Sequence, residues 1–196
     1  ACDKTTAVTR KGWVELAQGV CKEWYAKYKK DLESAAQPIH PARICNELSK
    51  HLPDDAIVVV DTGHAGMWMG GMYDLRTHQQ GYIRSAGHLG WAFPAGLGAK
   101  CGAPERPVVT FTGDAGFWYH IGDVETAVRW KINAVTVVNN NGGGNQSKRG
   151  FDRLRDFLCR RRDAAAERLD QRAVLADQIF VEVPLGQRLL AQLLLD

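Results

Sequence analysis

The sequence predicts an α/β fold: an open, mainly parallel sheet flanked by helices. Three apolar runs predict it, "AIVVVDTG", "RPVVTFTGDAG" and "NAVTVVNNNGGG". None alternates with polar residues, which is the pattern of strands buried on both faces. Segments with helical spacing lie between them, and strands alternating with helices imply crossover connections and parallel pairing. Each run ends in Gly, Asp or Asn, at the strand ends where ligands sit in such sheets.

The elements follow in order. From Lys11 to about Ser34, Trp13, Leu16, Ala17, Val20, Trp24 and Tyr28 recur at three- and four-residue steps, which predicts a helix with one buried face. A second helix starts near His40-Pro41, with proline where a first-turn proline is tolerated, and stops at Pro53. "AIVVVDTG" is the first buried strand and "GYIRSAG" a short second one. "HLGWAFPAGLGAKCG" reads as a helix rich in small residues, which lets backbones approach closely. "RPVVTFTGDAG" is a strand ending in a glycine turn, and the turn opens a helix. "HIGDVETAVRWKI" is helical, with Val124, Ala127 and Val128 on one side, and "NAVTVVNNNGGG" is the next strand. Residues 151–196 hold eight Arg, no Lys and a single Gly, Gly186. In that stretch "IFVEVP" offers one more strand and "QRLLAQLLLD" a helix.

Bulk properties exclude several classes. The 196 residues are 45% hydrophobic, enough for a real core, and the formal charge of +3 is too small to suggest nucleic acid. The five cysteines are widely spaced and form no CxxC pair, so neither a zinc site nor a disulfide framework is indicated. Reduced thiols and a cytoplasmic location are the plain reading. No signal peptide and no membrane span are expected. The opening "ACDKTTAVTRKGW" does not resemble an initiation region, so the chain is read as a fragment.

The chemistry concentrates between Gly113 and Gly144. Asp114 follows one buried strand, and Asn139, Asn140 and Asn141 follow the next. If those strands are near neighbours, both groups face one crevice. An anionic oxygen, an amide oxygen and a glycine carbonyl form a hard set that suits Mg²⁺, whose other positions phosphate oxygens can fill. The free N–H groups of the turn "GDAG" favour phosphate. Together they point to a metal diphosphate, whereas either piece alone reads as an ordinary turn or loop.

The order and spacing of these pieces resemble the Gly-Asp-Gly…Asn-Asn signature of thiamine diphosphate (ThDP)-dependent enzymes. The resemblance is to the acetolactate synthase, pyruvate oxidase and benzoylformate decarboxylase group, in its C-terminal diphosphate-binding domain, and covers roughly residues 39–150. It implies residues 1–38 as a helical joining segment and 151–196 as a divergent end of the same domain. "VVVDTGHAGMW" is similar to the family's first cofactor-contact turn, which implies Gly63, His64 and Ala65 at the diphosphate. His64 reads alternatively as a surface loop histidine. "SAGHLGWAFPAGLGAK" resembles the segment that supports the bent cofactor. Anchored on Pro94, it implies cofactor contacts from Gly87, His88 and Leu89. Leu89 would wedge between the two rings, with ordinary core packing as the alternative, and the Gly87 carbonyl would accept from the pyrimidine amino group. In "GDAGFWYHIGDVETAV" the resemblance places Gly113, Asp114, Ala115 and Gly116 at the cofactor. Ala115 stands where Gly is more usual, and Gly116 where Ser is usual. Asp114 and Asn141 carry over as Mg²⁺ side-chain ligands, with the Gly143 carbonyl as a third. Asn140 supports the turn.

The resemblance implies a 2-oxo acid substrate and an acetolactate synthase-like decarboxylase or carboligase. Glyoxylate carboligase, benzaldehyde lyase and oxalyl-CoA decarboxylase types are other branches. The activating glutamate belongs to the family's pyrimidine-binding domain, from the same or another chain, and no residue here is assigned to it. That leaves a fragment, one subunit of a split enzyme, or a non-catalytic module, with a homodimer or homotetramer expected for the full protein. From Leu154 onward no convincing match is found, and the composition shift motivates a changed reading frame. A dinucleotide-binding domain is disfavoured, because the first strand is not followed by GxGxxG.

Overall fold

The computed structural model describes residues 5–159 and 178–182, with side chains for 11–153. Helix α1 covers Thr5–Leu32 and α2 Pro41–His51. Then follow β1 (Ile57–Val60), α3 (Gly63–Met72), β2 (Gly81–Arg84), α4 (Ala92–Gly102), β3 (Val108–Gly113), α5 (Asp114–Tyr119), α6 (Asp123–Arg129), β4 (Val135–Asn140), α7 (Asn145–Cys159) and β5 (Gln178–Glu182). The sheet order is β2-β1-β3-β4-β5. The first four strands are parallel, and β5 joins the edge antiparallel to β4. The strand expected in "IFVEVP" is β5; the helix expected in "QRLLAQLLLD" lies outside the described residues.

Alternation along the strands sends side chains to opposite faces. Val58 and Val60 of β1, Val109 and Phe111 of β3 and Val137 of β4 pack against Ile44, Cys45 and Leu48 of α2 and Ala65 and Met69 of α3. Ile57, Val59 and Val108 pack on the other face against Phe93 and Leu97 of α4. Burial on both faces explains why these strands carry no polar alternation. On the α4 face a Cβ at Gly96 would run into Thr110 Oγ1, so the small-residue helix does let backbones approach there. α2 begins as expected: His40 caps it, Nδ1 accepting from the Ala42 N–H at 3.3 Å, with Pro41 in the first turn.

One expectation is corrected. α1 is helical, but its apolar stripe is not buried: Trp13 is 70% exposed, Leu16 66% and Val20 59%. The cause is where the helix docks. Only its C-terminal end packs, through buried Leu32 and the Asn46 amide donating to the Leu32 carbonyl at 2.9 Å. Tyr25 is anchored nearby; burial and the Asp74 carboxylate push its phenol up to about 12. On α6, Val124 and Ala127 pack against the core but Val128 is 73% exposed.

Candidate functional site

The order β2-β1-β3-β4 sets the site. The chain leaves β1 toward β2 on one side, and leaves β3 toward β4 on the other. The two connections diverge between β1 and β3, and a crevice opens at the carboxyl ends of strands at such a point. Three turns stand there: Asp61–Gly63 after β1, the Gly113-Asp114 junction at the end of β3, and Asn141–Gly144 after β4. β3 and β4 are paired neighbours, with Gly113 opposite Asn139. The start of α7 approaches the first turn, since a Cβ on Gly63 would lie 3.7 Å from Gln146 Oε1. Gly63 has φ of +70°, a left-handed conformation that favours glycine.

The Asn run divides its work. Asn139 is buried in the strand. Asn140 Oδ1 accepts from the Gly142 N–H at 3.0 Å and so shapes the turn. Asn141 uses its backbone carbonyl to accept from Asn145 Nδ2 at 2.7 Å, but its side-chain Oδ1 is buried with no hydrogen-bond partner among the described residues. The Gly143 carbonyl accepts from the Asn145 N–H at 2.8 Å, and one lone pair remains. Asp114 opens α5, half-buried, and its carboxylate makes no hydrogen bond or ion pair among the described residues. A buried amide oxygen without a partner is costly unless something occupies it. The oxygen set of Asp114, Asn141 and Gly143 therefore fits a hard cation. Among the described residues no three His, Cys, Asp or Glu side chains cluster for a metal.

The loop between β2 and α4 carries Gly87, His88 and Leu89. Ser85 holds its start: Oγ accepts from the His88 N–H at 3.0 Å and from the Gly87 N–H at 3.4 Å. Leu89 is 39% exposed, so it is not core. His64 and Ala65 lie in the first turn of α3, His64 half-buried and Ala65 buried. Gly113, Ala115 and Gly116 lie on the turn and first residues of α5, and Gly116 is buried.

Sequence reasoning passed over Asp61. It is 0% exposed, and its carboxylate accepts from the Thr62 N–H at 2.8 Å, from the Gly90 N–H at 3.1 and 3.0 Å, and from the Thr112 hydroxyl at 2.7 Å. The available signal was an Asp closing an apolar strand, together with a Thr at the facing position of "VVTFTG".

A family model described as the thiamine pyrophosphate enzyme C-terminal TPP binding domain matches residues 61–156. Residues 61–156 belong to this C-terminal domain of the thiamine pyrophosphate enzymes. The match begins at Asp61 and takes in every turn of the crevice. The acetolactate synthase large subunit of Mycobacterium tuberculosis is 32% identical over 137 residues, 67% of this chain and 24% of that protein. The sulfoacetaldehyde acetyltransferase of Castellaniella defragrans is 32% identical over 104 residues, 53% of this chain and 17% of that protein. The solved ThDP-dependent 4-hydroxybenzoylformate decarboxylase of Rhodococcus jostii aligns with a TM-score of 0.51 and 29% identity, covering 64% of this chain and 23% of that one. The chain thus spans about a quarter or less of the length of these relatives. As a ThDP-binding domain it supplies one part of the structure those relatives contain. No helix among its described residues is long and apolar enough to cross a membrane.

Proposed function

We propose that this ThDP domain binds the cofactor's diphosphate through Mg²⁺ held by Asp114, Asn141 and the Gly143 carbonyl, and serves a 2-oxo acid decarboxylase or carboligase of the acetolactate synthase kind. The observation that carries the reading is the buried, unpartnered Asn141 Oδ1, on the strand end next to the Asp114 turn. When bound, ThDP supplies the carbon nucleophile that breaks and makes the bonds to the substrate carbonyl. The chain's own residues bind and orient. Gly63, His64 and Ala65 approach the diphosphate from the β1 turn. Gly113, Ala115 and Gly116 approach it from the β3 turn with their backbone. His88 and Leu89 would contact the bound cofactor, with Leu89 as the bulky aliphatic residue against its rings. The Gly87 carbonyl accepts from the pyrimidine amino group.

The pyrimidine half and its activating glutamate come from a further domain, in the same or a second chain, within a homodimer or homotetramer. Large side chains around the loop support such a pairing: Trp91, Trp118, Tyr119 and Ile121 are exposed there. A cluster of exposed apolar side chains of this kind marks an interaction surface. A second reading is a split or non-catalytic module that acts only with a separate pyrimidine-binding chain.

Calorimetric titration with ThDP, with and without Mg²⁺, tests the site beside Asp114→Ala. The expected result is Mg²⁺-dependent binding that the variant loses. Binding that is indifferent to both Mg²⁺ and the substitution would overturn the ligand set. Product analysis from pyruvate, with the pyrimidine-binding chain added, then separates carboligase from decarboxylase.

A further inference from the structure

The buried carboxylate of Asp61 joins three elements that carry proposed cofactor contacts. It stands at the end of β1, two residues before Gly63. Its oxygens take the Gly90 N–H, next to Leu89, and the Thr112 hydroxyl of β3, two residues before Asp114. The packing around it is tight. A Cβ on Gly116 would lie 2.5 Å from Asp61 Oδ2 and 2.9 Å from Thr112 Oγ1. A Cβ on Gly90 would lie 2.9 Å from the Gly116 carbonyl oxygen and 3.0 Å from Tyr119 Cβ, and Gly90 itself has φ of +91°. The carboxylate fills the space that a side chain at position 116 would take, and the bare backbone of α5 lets the loop close down on it.

We propose that Asp61 is the positioning residue of the cofactor site, fixing Leu89 of the loop against the Asp114 turn, a role that rests on the ThDP reading above. The physical case is that one anion satisfies donors from the turn after β1, from β3 and from the β2–α4 loop at once. Among the described residues the Thr62 and Gly90 N–H groups have no other partner, and the Thr112 hydroxyl also reaches the Gly113 carbonyl at 3.2 Å. A carboxylate accepts all of them without offering a proton in return. With the anion removed, the loop keeps its Ser85 anchor but loses its tie to the sheet. Leu89 and Asp114 then vary in separation, and precise placement of separate contacts is what binding a preorganised ligand requires.

The test uses the whole chain, with Asp61→Ala, Asp61→Asn, Thr112→Val and Thr112→Ser. The first readout is hydrogen exchange of the Gly90 amide without ligand. The second is affinity for ThDP with Mg²⁺, measured well below each variant's melting temperature. Asp61→Ala is expected to lose Gly90 protection by at least about tenfold and to weaken ThDP binding by a similar factor. Asp61→Asn retains acceptor oxygen for Gly90 and is expected to recover most of both. If Asp61→Ala does not fold, Thr112→Val decides: it keeps the shape and removes one donor, so a smaller loss in both readouts is expected, with none in Thr112→Ser. A folded Asp61→Ala or Thr112→Val that melts lower yet keeps both Gly90 protection and ThDP affinity would make Asp61 merely structural and overturn the proposal. If the wild type binds no ThDP, the cofactor reading fails on its own. The exchange arm then still decides whether Asp61 holds the loop, and unchanged protection overturns that too.

Discussion

Asp61 and Asn141 stand at the carboxyl ends of two strands of one sheet, and they are opposites. Asp61 is an anion in the interior, with each of its oxygens engaged. Asn141 is a neutral amide whose buried oxygen accepts from no group among the described residues. Burial of a charge is tolerated because donors surround it. The amide oxygen, by contrast, carries a desolvation cost that no protein group offsets. A saturated polar group is part of the scaffold, and an unsatisfied one at a crevice is capacity for a ligand. The contrast separates residues that build this site from residues that work in it.

The largest effect should come from breaking the saturated member. Asp61→Ala leaves the buried Gly90 and Thr112 donors without their acceptor and should cost about 3 kcal/mol in urea denaturation. A loss no greater than that of a surface substitution would erase the contrast. Overpacking comes next. Gly96→Ala drives a methyl into Thr110 Oγ1 and should cost about 1–3 kcal/mol. Combining it with Thr110→Ala should recover part of that, and failure to do so would place the strain elsewhere.

The unsatisfied member should behave in reverse. Asp114→Ala and Asn141→Ala should leave stability within about 0.5 kcal/mol, because neither removes a protein–protein hydrogen bond from the side chain. Both should abolish the Mg²⁺-dependent part of ThDP binding in calorimetry. An Asn141→Ala variant destabilised as much as Asp61→Ala would mean its oxygen is a structural acceptor after all. Leu89→Ala should have the smallest effect. Thermal melting should barely move, since the side chain is exposed, while ThDP affinity falls about tenfold, or ~1.4 kcal/mol. Unchanged affinity would remove Leu89 from the cofactor surface.

Much of the fold was legible in the residues. β1, β3 and β4 announce themselves because burial on both faces demands continuous apolar runs, and Pro41 and Pro53 bracket α2 because proline restricts where helices begin and end. The helical periodicity of α1 was legible too. Its exposure was not: Trp13, Leu16 and Val20 mark a face, and only the docking of α1 by its C-terminal end decides whether that face is covered here. At the site, Asp114 and Asn141 stood out because Gly-Asp turns and Asn runs follow strands. Asp61 did not, because an Asp at a strand end reads as the first polar residue of a loop until its partners are known.

By itself, the sequence determined the kind of fold, the order of its elements and the turns where ligand groups gather, since periodicity and turn chemistry are local properties of the chain. The tertiary structure alone decided which turns share a crevice, which of two buried polar groups is satisfied, and why position 116 has no room for a side chain. Those depend on strand order and on distances between residues far apart in sequence. Asp61 and Gly116 become neighbours only when β1 and β3 lie side by side.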